Sequence, residues 1–131
     1  MNPDEKVPFE SLTAGRKWLR DICGDLGVEC PKLQLITPNG KILGFYRPYV
    51  KRIELVDPNG MQLTTLFHEL AHHIQFLDGG TRKRWHTKGF FRNVDRIHEH
   101  VRARYGLSVP VIENPKHGYR SRQVVTQQRG V

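Results

Sequence analysis

The sequence predicts a single α+β domain, and three observations lead to that fold class. Its 131 residues fit one domain with one hydrophobic core. Apolar side chains recur at helical spacing in three segments, and three short alternating runs lie between the first and the second of them. We therefore expect three helices packed on one face of a small, mostly antiparallel sheet.

The first helix and the strands occupy the first half of the chain. A helix is predicted over residues 11–26, with Ser11 as its N-cap and Gly27 as its stop. Three strands are predicted within "KLQLIT", "KILGFYRPYV" and "KRIELV", residues 32–37, 41–50 and 51–56. Two Pro-Asn-Gly turns, after the first and third runs, favour a meander. Gly44 and Pro48 interrupt the middle run, which predicts a bulged or edge strand.

Two more helices follow the second turn. The apolar stripe of the second helix covers about residues 60–77 and ends at "DGG", and the third covers about 87–104. Beyond Gly106 the chain has two prolines and few large apolar residues. We therefore expect a domain over residues 1–106 and a basic extension, or a partly disordered tail, over 107–131.

The net charge of +8 is unevenly distributed along the chain. Residues 1–79 hold nine Lys/Arg and ten Asp/Glu, a balance of −1, whereas residues 80–131 hold twelve and three, a balance of +9. A basic region binds phosphates by releasing their counterions, so this asymmetry suggests an anionic partner, nucleic acid first. A basic surface that only keeps the protein soluble is the alternative.

The chain shows no sign of a membrane or secretory role. No apolar run approaches the roughly 20 residues that span a bilayer, and the first residues lack the apolar core of a signal peptide. Cys23 and Cys30 are the only cysteines, too few for a disulfide framework or a four-thiolate zinc site. We expect an intracellular, cytoplasmic protein, and its oligomeric state is not predicted.

The second helix contains the motif "HELAH". His68 and His72 are separated by one helical turn and share a helix face, so both imidazoles can bind one cation. Zn²⁺ suits such nitrogen ligands, and Glu69 lies where it can take a proton from a water at the metal. A catalytic zinc needs three protein ligands, so a third must come from elsewhere in the chain.

Three downstream residues are candidates for the third ligand. His86, in "RWHTKGFF", precedes the third helix, and a chain reversal through residues 78–85 would place it beside His72. Glu99 and His98, on the third helix, are alternatives if that helix packs against the second. His73 points about 100° away from His72 around the helix, so we expect it to pack or to support the site.

The succession of strands, "LTTLFHELAHHIQF" and "HTKGF" resembles the SprT-like zinc metallopeptidases over about residues 10–105. That family carries HExxH on its active-site helix and a third zinc histidine in a downstream HGxxF-like motif. The resemblance implies a zincin-like fold, zinc ligands at His68, His72 and His86, and Glu69 as the general base. Its common zinc ribbon of four cysteines is absent from this chain.

Other positions of the downstream motif agree only in part. Phe90 matches the aromatic residue four positions after the third histidine, whereas Thr87 stands where the family usually has glycine. The small minigluzincins share the architecture but use a glutamate as third ligand, which keeps Glu99 as an alternative. The resemblance also implies that "RIELVD" lines the substrate cleft.

The resemblance implies a zinc metalloendopeptidase acting on protein substrates, including proteins bound to DNA. Two basic clusters are candidate nucleic-acid contacts, and they comprise Arg82, Lys83, Arg84, Arg120 and Arg122. The oxyanion donor is not predicted; Tyr46, Tyr49, His73 and the arginines are all candidates. The alternative function is a nucleic-acid-binding module with a structural zinc and no protease activity.

Overall fold

The computed structural model describes residues 7–38, 40–79 and 86–111. Within these ranges the chain forms three helices and a three-stranded mixed sheet, which confirms the predicted α+β class. None of the helices in these ranges is long and apolar enough to cross a membrane. The elements, in chain order, are α1 (Leu12–Leu26), β1 (Lys32–Ile36), β2 (Gly44–Arg47), β3 (Arg52–Val56), α2 (Leu63–Leu77) and α3 (Lys88–Tyr105).

The helices begin and end close to the predicted residues. The hydroxyl of Ser11 accepts a hydrogen bond from the amide of Ala14 at 3.1 Å, which caps α1. Gly27 follows α1 in the left-handed conformation, with φ of 70°, which glycine adopts without strain. At α3, Thr87 is the N-cap and Gly106 ends the helix in the same way as Gly27. The predicted cap and stop of α1, Ser11 and Gly27, are thereby confirmed.

The order of the strands differs from the predicted meander, which is wrong. The sheet has the order β1-β3-β2, in which β3 pairs with β1 in parallel and with β2 in antiparallel orientation. Ile53, Leu55 and Val56 of β3 are at most 2% exposed, so β3 takes the central position. β2 lies at an edge of the sheet, one of the two outcomes predicted from Gly44 and Pro48, and it ends at Arg47, before Pro48.

One hydrophobic core lies between the helices and one face of the sheet. Leu66, Phe67 and Leu70 of α2 are completely buried at its centre. Val109 and Val111, which follow the boundary predicted at residue 106, are also buried in this core. The rest of the predicted extension, residues 112–131, lies outside the described residues.

Gly44 brings the edge strand β2 close to α2. A Cβ atom at this position would lie 2.8 Å from the carbonyl oxygen of Glu54 and 3.3 Å from the methyl group of Thr65. Any larger side chain would push β2 away from α2. This close approach places β2 beside the "HELAH" face of α2.

Candidate metal centre

Three histidine side chains converge at one point of the structure. His68 and His72 project from α2, and His86 lies one residue before the N-cap of α3. Their ligand nitrogens all lie within 4.8 Å of one another. This is the only group of three or more His, Cys, Asp or Glu side chains with metal-site spacing among the described residues.

The spacing of the nitrogens fits a shared metal ion. The Nε2 atoms of His68 and His86 are 3.4 Å apart. Two nitrogens bound tetrahedrally to one zinc at about 2.0–2.1 Å lie about 3.3 Å from each other. The donor set and this distance therefore fit a metal ion of the size of zinc.

The environment favours neutral imidazoles, which is the form that binds metals. Burial, followed by the neighbouring His72 and His86, lowers the pKa of His68 well below its ordinary value. Burial lowers the pKa of His72 to about 4, although its hydrogen bond to Gln75 acts in the opposite direction. Neither ring therefore needs to lose a proton before it binds a cation at neutral pH.

Gln75 connects one ligand to the segment that carries another. Its amide oxygen lies 3.2 Å from Nδ1 of His72 and can only accept, so Nδ1 carries the proton and Nε2 is left for the metal. The amide nitrogen of Gln75 donates to the hydroxyl of Thr87 at 3.3 Å. That hydroxyl also accepts from the amide of Phe90 at 3.3 Å, as the cap of α3.

Phe90 packs against all three histidines. Its ring stacks on His72 with a centroid distance of 4.3 Å, and its centroid lies 5.0 Å from those of His68 and His86. The aromatic residue of the "HTKGF" segment thus forms an apolar wall of the cluster.

Gln75 was not predicted as a site residue, although its position three residues after His72 on a helix was a usable signal.

Glu69 lies beside the cluster in a small pocket. The pocket has a volume of about 280 Å³, and β2 contributes to its wall. Glu69 is 6% exposed, and burial raises its pKa to about 8. The pocket is lined by Gly44, Phe45, Tyr46, His68, Glu69, His72 and His86.

His73 joins α2 to the pocket wall. Its Nε2 lies 2.8 Å from the carbonyl oxygen of Glu29, so this nitrogen donates. Its Nδ1 therefore accepts, at 2.6 Å, the hydroxyl proton of Tyr46 on β2. Both ring nitrogens are bonded to the protein, and His73 is completely buried. In this arrangement neither His73 nor the hydroxyl proton of Tyr46 is free to stabilise an oxyanion.

The alternative third ligands do not join the cluster. His98 is 3% exposed, donates from Nδ1 to the carbonyl oxygen of Val109 at 3.0 Å and packs its ring against Phe67. Glu99 is half-buried on α3 and, like His98, is not among the residues with metal-site spacing. Of the three candidates, only His86 lies beside His68 and His72.

Two further predictions concern the surroundings of the cluster. The expectation that "RIELVD" lines the cleft is wrong, because β3 has a neighbouring strand on each side and β2 forms the pocket wall instead. The predicted nucleic-acid contacts Arg82, Lys83, Arg84, Arg120 and Arg122 lie outside the described residues.

Comparison of the chain with protein-family models, with curated proteins and with solved structures found no match. Its fold and site define an α+β domain with three histidines that can bind a metal ion.

Proposed function

We propose that this chain is a zinc-dependent metalloendopeptidase of SprT-like type that hydrolyses peptide bonds in protein substrates. The proposal depends chiefly on one observation, the convergence of three histidine nitrogens beside a buried glutamate in one pocket. Structural zinc sites almost always have four protein ligands, whereas catalytic sites have three and an open position. Within the described ranges the cluster supplies three.

Four residues of the pocket take part in the proposed reaction. His68, His72 and His86 would hold a zinc ion, which supplies Lewis-acid chemistry by lowering the pKa of water and polarising a carbonyl group. Glu69 accepts a proton from the attacking water and delivers a proton to the leaving amine nitrogen. Burial alone raises the pKa of Glu69 to about 8, and a cation held by the neighbouring histidines would lower it towards the ionised form that accepts a proton.

The open edge of β2 is suited to an extended peptide. The amide of Val56 donates to the carbonyl oxygen of Leu43, so Leu43 and Val56 form a hydrogen-bonded pair. Because such pairs alternate along an antiparallel ladder, the backbone groups of Gly44 and Tyr46 point away from β3. These two residues line the pocket, so a substrate that adds as a strand would pass beside Glu69.

The substrate class and the location belong to the same proposal. The resemblance and the charge of the chain support proteins associated with DNA as substrates, and its two cysteines fit a reducing compartment such as the cytoplasm. Neither follows from the geometry of the pocket.

The proposal is tested by measuring zinc content and proteolysis of the same preparations. Glu69→Gln should still bind about one zinc but cleave an unfolded protein at least about 100-fold more slowly, because it lacks the proton acceptor. His86→Ala should lose zinc, whereas the matched change His100→Ala, outside the cluster, should not. Equal cleavage by Glu69→Gln and the unmodified protein would refute the mechanism. A zinc-containing protein that cleaves nothing would favour the nucleic-acid-binding alternative.

A further inference from the structure

A second concave site lies away from the metal centre, where α1, β1 and β3 meet. It is a groove of about 480 Å³ whose lining contains four cationic side chains and no carboxylate. Its apolar wall includes Leu19 and Leu33. The cationic residues are Arg16, Arg20, Lys32 and Arg52.

The fold assembles these charges from the helix and from the sheet. Arg16 and Arg20 are one turn apart on α1, and Lys32 and Arg52 are register partners on the parallel strands β1 and β3. Gly15 allows α1 to approach β1 closely, because a Cβ atom there would lie 2.8 Å from the side chain of Leu33. The pairs from the helix and from the sheet thus line a single groove.

Acidic partners only partly neutralise the groove. Arg52 forms a salt bridge to Glu54 at 2.8 Å, but Glu54 is shared with Arg47, also at 2.8 Å, so two guanidinium groups share one carboxylate. Arg20 and Lys32 form no side-chain hydrogen bond or ion pair with any residue that the structure describes. Clustered like charges repel one another, and a bound anion would offset that repulsion.

One guanidinium is already oriented within the groove. Nη2 of Arg16 donates to the carbonyl oxygen of Leu33 at 3.3 Å, which uses one of its five N–H groups. The remaining donors have the planar fork geometry that matches phosphate oxygens. The groove therefore combines an oriented arginine with two cations that lack a partner among the described residues.

We propose that this groove binds the phosphate backbone of a nucleic acid. Several cations line a volume that exceeds one phosphate group, which fits a polymer of phosphates better than a single anion. No aromatic side chain lines the groove, so it lacks the surface on which bases stack and would bind without sequence preference. β1 and β2 are opposite edges of the sheet, so a nucleic acid at β1 leaves the peptide edge at β2 open.

Binding of a fluorescent oligonucleotide to the full chain, followed by anisotropy over a range of salt concentrations, tests this inference. The paired change Arg20→Glu and Lys32→Glu should weaken binding at least about tenfold. It should also reduce the slope of log K against the logarithm of salt concentration by about two, because about two phosphates are no longer neutralised. The matched control is Lys17→Glu with Lys41→Glu, which alters net charge equally at exposed sites outside the groove. The control should bind nearly as well as the unmodified protein.

Three results would overturn the proposal, with folding of each variant checked by thermal unfolding. Unchanged binding by the groove variant would place the nucleic acid elsewhere on the chain. An equal loss of affinity in the control variant would show that net charge, and not the groove, determines binding. Displacement of the oligonucleotide by poly-glutamate or by inorganic phosphate, at equal charge, as efficiently as by unlabelled oligonucleotide would show that the groove does not recognise a phosphate polymer. None of these outcomes depends on whether the metal centre is catalytic.

Discussion

Replacing Gln75 by leucine should weaken zinc binding about 10- to 100-fold, the usual effect of removing a partner of a metal-binding histidine. His72 is 7% exposed, and Gln75 accepts the proton of its Nδ1 at 3.2 Å. Metal binding through Nε2 requires that proton to stay on Nδ1, where it would lose its partner. An unsatisfied buried donor costs about 1–3 kcal/mol, and about 1.4 kcal/mol is tenfold in affinity. Without metal, His72 can carry its proton on Nε2 instead of Nδ1. The unsatisfied Nδ1–H group therefore destabilises only the metal-bound state.

Thr87 provides a second perturbation of the same connection. Thr87→Val removes the acceptor of the hydrogen bond that the Gln75 amide donates. Loss of that hydrogen bond, about 1 kcal/mol, should weaken zinc binding roughly fivefold. It also removes the cap of α3, at a cost of about 1 kcal/mol in folding stability. Thr87→Ser keeps the hydroxyl and should bind zinc normally. The double variant of Gln75→Leu and Thr87→Val should bind about as well as Gln75→Leu alone, because the shared bond is already absent.

Competition between each apoprotein and a chromophoric zinc chelator measures these affinities, and thermal unfolding of the apoproteins reports folding separately. Gln34→Leu, an exposed glutamine on β1, is the matched control. The reasoning is refuted if Gln75→Leu is folded and binds zinc within about twofold of the unmodified protein, well below the expected range. Equal weakening by Gln34→Leu would refute it as well.

Three further predictions concern the scaffold. Gly44→Ala should lower the free energy of unfolding by about 1–3 kcal/mol in denaturant titrations, because the added Cβ has no room. Gly24→Ala, on α1 with open space around it, should raise the free energy of unfolding by about 0.5–1 kcal/mol. A more stable Gly44→Ala than Gly24→Ala would contradict this. His98→Leu should reduce stability without reducing zinc content, and loss of zinc would reinstate it as a ligand. Hydrogen bonds from His100 and Tyr105, with the charge of Arg104, hold the pKa of Asp25 below its ordinary value. The ionised Asp25 therefore stabilises the folded protein at a pH above the pKa that Asp25 has in the unfolded chain, and this contribution is lost as the pH falls through its pKa in the folded protein. Asp25→Asn should therefore unfold at a lower temperature at pH 7, and this difference should begin to shrink as the pH falls below about 4, the ordinary pKa of an aspartate; a difference that does not shrink on acidification would contradict the assignment.

The helices were predictable from the sequence because their signals are local. Apolar spacing, Ser11 and Thr87 at N-caps, and Gly27 and Gly106 at C-termini each act within one or two turns. The order of the strands was not predictable from turns, because a Pro-Asn-Gly segment indicates a reversal and not which strands then pair. β1 and β3 each have three apolar residues of five, so composition does not decide between them, and only the structure shows that β3 is the more buried strand and lies at the centre.

The histidine cluster was predictable in part. The helical spacing of His68 and His72 determines their proximity, whereas the position of His86 depends on how α3 packs against α2. His98 lies on α3 itself, and its ring faces Phe67 and Val109 instead of the cluster. The positions of the histidines in the sequence could not show that His86 joins the cluster and that His98 does not.

Counting charges along the chain also missed the basic groove. Its four cationic residues all belong to residues 1–79, where acidic and basic residues nearly balance. No carboxylate lines the groove, and acids of the same half of the chain pair with other cations, as Glu29 does with Lys51 at 2.9 Å. Local charge therefore depends on tertiary neighbours, which a sum over sequence does not contain.

The polar residues of α2 connect the helix to both neighbouring walls of the site. His73 is bonded to Tyr46 of β2, and Gln75 to Thr87 at the start of α3. His72 directly precedes His73 on the helix and bonds to Gln75 itself. Because the apolar side chains of α2 already bury the helix in the core, these polar contacts are not needed to hold it there. Their effect is to fix the edge strand and the third histidine relative to His72, so a loss of either hydrogen bond should alter the site before it unfolds the domain.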